Sequence, residues 1–389
     1  MSLPRPRLST PAPMRFAPPF TAPPQLRPKE ATGPKPDLPP IDRVWCSGVS
    51  PGRVLRLVIL SLPLALLSWG GVPRSEVRIR DPFVLPDPAT QTYLIYGTTT
   101  AGIFDGNIER KAVLAFRTKD LETWDEPVVV WDVPEDHWGR ETVWAPEVHE
   151  YQGRYYLFVT LTSTETLPTP PGRPQNLRRG TEILVADSPL GPFQPLGNGP
   201  QTPSDWMALD GSLWIEDGVP YMVFCREWAQ ITDGSFELVR LSEDLSRAVE
   251  APTRLFTASE GPWVRCRGDI GELYQGKRYH AYVSDGNWLH RTRDGTLLML
   301  WSSYGPSKYA VGVARSQSGS VFGPWEQLEE PLWSDDGGHP MLFRTFDGRL
   351  VMVIHQPNRR VERARFFEVE DVGDTLRLQG ELTRLNTAP

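Results

Sequence analysis

The sequence predicts an all-β protein: a five-bladed β-propeller of four-stranded antiparallel blades. Three observations predict it. Beyond residue 75 the chain consists of apolar runs of four to seven residues between Gly/Asp turn signals, with almost no helical periodicity. Five segments repeat one pattern, in which a polar residue opens a short strand, a turn follows, and a stronger apolar strand returns. Each copy is followed by a second hairpin. The repeating unit is therefore two hairpins, the content of one blade.

The copies are RDPFVLPDPATQTYLIYGTT (80–99), WAPEVHEYQGRYYLFVTLT (144–162), LDGSLWIEDGVPYMVFCREW (209–228), SDGNWLHRTRDGTLLMLWSS (284–303) and GHPMLFRTFDGRLVMVIHQP (338–357). Their leading polar residues are Asp81, Glu147, Asp210, Asp285 and His339. The second hairpins run through VLAFRTKDLETWDEPVVV, EILVADSPLGPFQPL, FELVRLSEDLSRAVEAPTRLF, VGVARSQSGSVFGPWEQL and RARFFEVEDVGDTLRL. A β-helix needs much shorter repeats, and a sandwich does not repeat at all. The fifth unit supplies its own fourth strand at 375–378, so five blades close without residues 1–75. One propeller domain is expected over 76–389.

Residues 1–75 read differently. The whole chain of 389 residues has a formal net charge of -7, which argues against general nucleic-acid binding. Yet residues 1–80 hold 12 Lys/Arg against 4 Asp/Glu, and 16 of the 40 prolines. Met1–Pro40 is basic, Pro-rich and without an apolar period, and is expected to be disordered. Leu57–Trp69 is a 13-residue apolar run interrupted by Pro63, too short for comfortable membrane spanning, so no stable insertion is expected. It has the length of a signal-peptide hydrophobic region but lies too deep in the chain. If translation begins further in, the segment is an artefact of the assigned start and a cytoplasmic protein is favoured. Otherwise it is a linker with a short anchor or export element, and the protein is secreted or anchored. The three cysteines, Cys46, Cys225 and Cys266, have no paired spacing, which excludes a disulfide scaffold and a Cys-rich zinc site.

In a propeller the innermost strands start beside the central channel, so the five leading residues converge on one face. A single acidic residue there also caps a turn, but clustered carboxylates repel and are held together for a reason. The ends of the second strands lie on the same face and add Glu227, in CREW, and His355. Glu227 follows the apolar run YMVFC and precedes Trp228, a setting of the kind a general acid uses; the competing reading pairs it with Arg226 at the surface. Carboxylates facing one another across an aromatic-rich concavity suggest glycosidic bond hydrolysis. Trp144, Trp206, Trp228 and Trp288 are placed to stack on sugar rings or to pack between blades. Trp144, Glu147, Trp228, Trp288 and His355 are the candidate substrate-binding residues.

The segments IRDPFVLPDPATQTYLIYGTT, VWAPEVHEYQGRYYLF, LDGSLWIEDG and GGHPMLF, in this order, resemble glycoside hydrolase family 43 over roughly residues 77–389. That family comprises five-bladed propeller arabinosidases and xylosidases. The resemblance implies an inverting hydrolase acting on arabinose- or xylose-containing oligosaccharides or polysaccharides. It also implies that Asp81 is the base and Asp210 the residue that modulates the acid's pKa. The family's acid is a Glu opening the fourth blade in an EGP-like context, and the matching residue here is Asp285, in SDGN. Two acids stay open, Glu227, which is preferred, and Asp285. His339 matches the fifth-blade His through which relatives hold a metal ion in the channel, so calcium or another cation there fits the resemblance, although none is required for the reaction. The rival readings are a carbohydrate-binding or catalytically impaired propeller and a protein-interaction propeller. The acidic rather than apolar channel mouth disfavours the latter. Sugar, linkage, exo or endo action and oligomeric state are left open.

Overall fold

A computed structural model describes residues 71–99 and 111–385. The Pro-rich segment and the apolar run Leu57–Trp69 lie outside the described residues. Five antiparallel sheets follow one another along the chain, each ordered in sequence from its first strand outward. Blade I holds Arg80–Asp87, Thr92–Thr98, Ala112–Thr118 and Val128–Asp132, and blade II holds Thr142–Tyr151, Arg154–Thr166, Leu177–Ala186 and Gln194–Pro195. Blade III is Ala208–Glu216, Val219–Arg226, Ser235–Arg240 and Thr253–Thr257, and blade IV is Asp285–Arg291, Leu297–Tyr304, Tyr309–Ser316 and Trp325–Gln327. Blade V, Gly338–Arg344, Leu350–Gln356, Arg363–Asp371 and Leu376–Glu381, has its own fourth strand. The described chain joins blade I slightly ahead of residue 76: Val72 pairs with Trp124, and Arg74 N donates to Glu122 O at 2.7 Å.

The apolar runs are continuous, not alternating, because both faces of each second strand meet another blade. In blade IV, Leu297, Met299 and Trp301 enter the core shared with blade III, while Leu298 and Leu300 enter the core shared with blade V. In blade V, Met352 and Ile354 face blade IV, while Val351 and Val353 join Val77, Ile79 and Phe83 of the blade I region. This last cluster closes the ring. Successive side chains on a strand point to opposite faces, so one strand is shared between two interfaces.

Every innermost strand carries a bulge at its start. The pairing register shifts between Arg80 and Phe83, Trp144 and Glu147, Leu209 and Ser212, Asp285 and Trp288, and Gly338 and Met341. The residue just after each first position has a positive φ: Asp81 51°, Ala145 43°, Asp210 56°, Gly286 46° and His339 56°. A bulge adds a residue, bends the strand and re-aims a side chain. The structurally equivalent residues are thus Asp81, Ala145, Asp210, Gly286 and His339. The expectation that Glu147 and Asp285 occupy the equivalent places is corrected by the bulges: Glu147 lies two residues beyond, and Asp285 one residue before.

Candidate active site

The bulged residues are tied blade to blade. Ala145 N donates to Thr98 Oγ1 at 2.7 Å, Asp210 N to Thr160 Oγ1 at 2.8 Å, and His339 N to Ser302 Oγ at 2.8 Å. Asp81 N donates to His355 Nδ1 at 3.3 Å, joining the first blade to the last. Thr98, Thr160, Ser302 and His355 are all the second-strand partners of the residue preceding a bulge. Blade III has Cys225 there, and Gly286 N donates instead to Asp210 Oδ2 at 3.0 Å.

At the centre, His339 Nδ1 lies 3.3 Å from Asp81 Oδ1, 3.6 Å from Asp285 Oδ1 and 4.0 Å from Asp210 Oδ2. Burial alone would push the Asp81 carboxyl up, but Arg80, whose Nε is 3.3 Å away, and then His339 hold it well below its ordinary value. Asp81 Oδ2 accepts from Thr98 Oγ1 at 2.8 Å, while the buried Oδ1 faces His355 Nδ1 at 3.2 Å and Arg80 Nε and His339 Nδ1 at 3.3 Å each. Asp210 goes the other way. Burial, with the nearby Asp285 and Asp81 charges, outweighs His339 and raises it well above the ordinary carboxyl range. Asp210 and Asp285 share a hydrogen bond. Burial would raise Asp285 too, but its contact with His339 holds it below the usual range, and the Tyr309 hydroxyl donates to its Oδ2. Burial would strip the proton from His339; the Asp81 and Asp210 charges overcome this and raise it well above the usual histidine value. Within the cluster Asp81 and Asp285 are biased toward the carboxylate, Asp210 toward the protonated acid and His339 toward the imidazolium.

Asp81, Asp210 and Asp285 line a pocket of about 520 Å³ together with Glu227, Trp144 and Trp228. Glu227 does not pair with Arg226, which instead donates to Gln230 Oε1 at 3.0 Å and covers the Trp206 ring. Its carboxylate is held by the Arg179 guanidinium, which lies 4.4 Å above the Trp144 ring and donates to Thr162 Oγ1 at 2.8 Å. Trp228, only 4 % exposed, meets Tyr274 edge-on at 5.4 Å. Tyr274 belongs to a small hairpin, Leu273–Tyr274 with Lys277–Arg278, inserted between blades III and IV and forming part of the pocket wall.

Three sequence candidates sit behind this wall. Glu147 is buried and bonded to His149 Nε2 at 2.8 Å. Trp288 packs on Phe83 and His149 in the core, at ring distances of 5.9 and 6.3 Å. One layer inside the bulges, these side chains fill the channel instead of facing the pocket. His355 is fully buried: its Nδ1 accepts from Asp81 N, and Nε2 donates to Asn358 Oδ1 at 3.2 Å. It holds the Asp81 backbone and does not line the pocket. The chain also contains an EGP tripeptide, Glu260-Gly261-Pro262. Glu260 is exposed on a 3-10 turn after blade III, where its carboxylate accepts from Thr257 N at 2.8 Å in a capping box. It does not line the pocket. Arg80, Arg179 and Tyr309, which orient the acidic groups, were not singled out from the sequence, because third-strand residues and a cation before an Asp carry no repeat signal.

Asp210, Asp285 and His339 bring one ligand atom each within 4.8 Å of one another. Calcium takes six to eight oxygen ligands. Here the set is two carboxyl groups and one imidazole nitrogen, too few oxygen donors for that cation. These residues do not fit calcium, and no step below runs through a metal.

A ring of five bulged blades aiming carboxyl groups into one aromatic-walled pocket has the layout of a propeller glycosidase. The chain belongs to the glycosyl hydrolases family 43, whose sequence profile matches residues 72–380. It is similar to the crystal structure of an endo-arabinase from Bacteroides thetaiotaomicron VPI-5482, at 41% identity over 77% of this chain and 97% of that one, with a TM-score of 0.66. An α-L-arabinofuranosidase from Lactobacillus brevis shares the fold, at 16% identity over 78% of this chain and 94% of that one, with a TM-score of 0.60. Alpha-L-arabinofuranosidase B of Pyricularia oryzae is 24% identical over 290 residues, 69% of this chain. The match spans 57% of that relative's length.

Proposed function

We propose that this chain hydrolyses O-glycosidic bonds in arabinose- or xylose-containing oligosaccharides or polysaccharides, with inversion at the anomeric carbon. Asp81 is the base. Held toward the ionised form and lining the pocket, it draws the proton from a water that attacks the anomeric carbon. Glu227 is the acid and gives its proton to the departing oxygen. The observation that carries this choice is geometric: Glu227 stands on the pocket wall with Trp144 and Trp228, whereas the Asp285 oxygens are taken up by the Tyr309 hydroxyl and by His339 Nδ1, 3.6 Å away. His339, with Nδ1 3.3 Å from Asp81 and 3.6 Å from Asp285, holds these two carboxyl groups in place beside Asp210. Trp144, partly exposed on the pocket wall, offers an apolar surface for a sugar ring, and the buried Trp228 backs the wall.

A panel of nitrophenyl glycosides and arabinan tests this reading. Turnover is expected on the α-L-arabinofuranoside or the β-D-xyloside, and proton NMR of the first product should show the anomer opposite to that of the substrate. Binding of arabino- or xylo-oligosaccharides without any turnover would make the chain a binding propeller, and a retained anomer would reject the two-carboxyl inverting scheme.

A further inference from the structure

A second constellation lies outside the carboxylate centre, in the insertion between blades III and IV. Cys266, Asp269 and His280 bring Sγ, a carboxylate oxygen and an imidazole nitrogen within 4.8 Å of one another. Cys266 Sγ is 3.2 Å from His280 Nδ1. We propose that these three side chains bind a zinc-type transition-metal dication, with water as the fourth ligand.

The donor set selects the metal class. A thiolate with an imidazole and one carboxylate suits a borderline-soft ion such as zinc, and does not suit magnesium or calcium. The geometry is close to what coordination needs. With Zn–S of about 2.3 Å and Zn–N of about 2.0 Å at a tetrahedral angle, sulfur and nitrogen stand roughly 3.5 Å apart. The backbone preforms the site. Asp269 N and Ile270 N both donate to Cys266 O, at 3.1 and 3.4 Å, making a turn that turns the Asp269 side chain back toward the thiol. Arg267 N donates to Ala281 O at 2.8 Å, which lays the Cys266 turn beside the segment carrying His280. Arg173 Nη1, from the loop between the second and third strands of blade II, donates to His280 O at 3.0 Å and anchors that segment. Binding releases the thiol proton and forms the metal–sulfur bond, with no redox change.

The position gives the site a purpose. Residue 267 follows Cys266 directly, and its guanidinium lies 5.1, 5.4 and 5.5 Å from the rings of Trp228, Tyr274 and Tyr304 at the pocket. A metal joining Cys266 to His280 clamps the neck of the insertion that forms this wall, and so fixes the shape of the sugar pocket.

Cobalt(II) tests the proposal on the full chain after chelator treatment. One equivalent should produce visible d–d bands and a near-ultraviolet thiolate-to-cobalt charge-transfer band, and zinc should abolish both. Cys266→Ser should remove the charge-transfer band, whereas Cys46→Ser should keep it. His280→Ala and Asp269→Asn, both at exposed positions, should weaken zinc binding by more than about 100-fold, beyond the loss typical of changes around a ligand. Zinc should raise the melting temperature of the wild type but not of these variants. Absence of the band in the wild-type protein, or its survival in Cys266→Ser, overturns the site and leaves a thiol–imidazole hydrogen bond in its place. If Cys266→Ser does not fold, zinc affinity of His280→Ala decides: unchanged affinity overturns the proposal.

Discussion

Gly286 and His339, on neighbouring blades, approach so closely that a Cβ on Gly286 would lie 2.6 Å from the imidazole Cγ and 2.7 Å from the His339 Cα. The positive φ of Gly286 is not the main obstacle to a side chain, since Ala145 adopts 43° at the equivalent bulge. The imidazole is. Gly286→Ala is expected to destabilise the fold by about 2–4 kcal/mol, the sum of left-handed strain and overpacking, and to cut kcat by displacing the group that charges the centre. Urea unfolding together with kcat on an activated glycoside checks this; stability close to wild type would show that His339 has room to yield.

Asp81→Asn removes the base while keeping shape and most hydrogen bonds. The expected loss in kcat is about 10²–10⁴-fold with KM little changed, because water activation matters only in the transition state. Near-wild-type turnover would take the base role away from Asp81.

The acid carries a different signature. Substrates with poor leaving groups need protonation, and activated aryl glycosides hardly do. Glu227→Ala should therefore lose far more rate on a natural disaccharide than on an activated aryl glycoside, whereas Asp285→Ala should lose rate on both alike. The reverse pattern would return the acid role to Asp285, the position matching the family's own donor.

The imidazolium sets the pH dependence. Asp81 must be ionised to work, and its low pKa owes much to Arg80 and His339. His339→Asn removes a positive charge 3.3 Å from Oδ1, so the Asp81 pKa rises and the acidic limb of kcat/KM moves to higher pH. An unmoved limb would mean that His339 does not act on the base. The stability terms have opposite signs. The Asp81 contribution is present above about pH 3.9, its unfolded value, and is lost as pH falls. The His339 contribution is complete below about pH 6.5 and is lost as pH rises through its raised folded value.

The blades could be read from the sequence because each second strand buries both faces, leaving uninterrupted apolar runs such as LLMLW and VMVI between turn signals. Asp81, Asp210 and His339 were legible as blade openings for the same reason. The bulge was not. Its extra residue is marked by side-chain type only where it is polar, and Ala145 and Gly286 hide it. The sequence therefore places Glu147 at the pocket although it is buried against His149, and takes Asp285 as the equivalent of Asp81 although it precedes the bulge. Arg179 and Tyr309 come from third strands, and the Cys266–Asp269–His280 set from an insertion. Neither follows the repeat, so only the folded chain brings them together.

The bond from Asp81 N to His355 Nδ1 spans 274 residues of sequence. Its consequence concerns the order of events during synthesis. The chain emerges from its N-terminal side, and long-range contacts form late because loop closure must come first. The base side chain is made early yet waits for almost the last strands before it is oriented. A nascent or truncated chain lacking blade V holds Asp81, Asp210, Glu227 and Asp285 but lacks His339 and His355, so hydrolytic activity should switch on only when the final blade docks against the first.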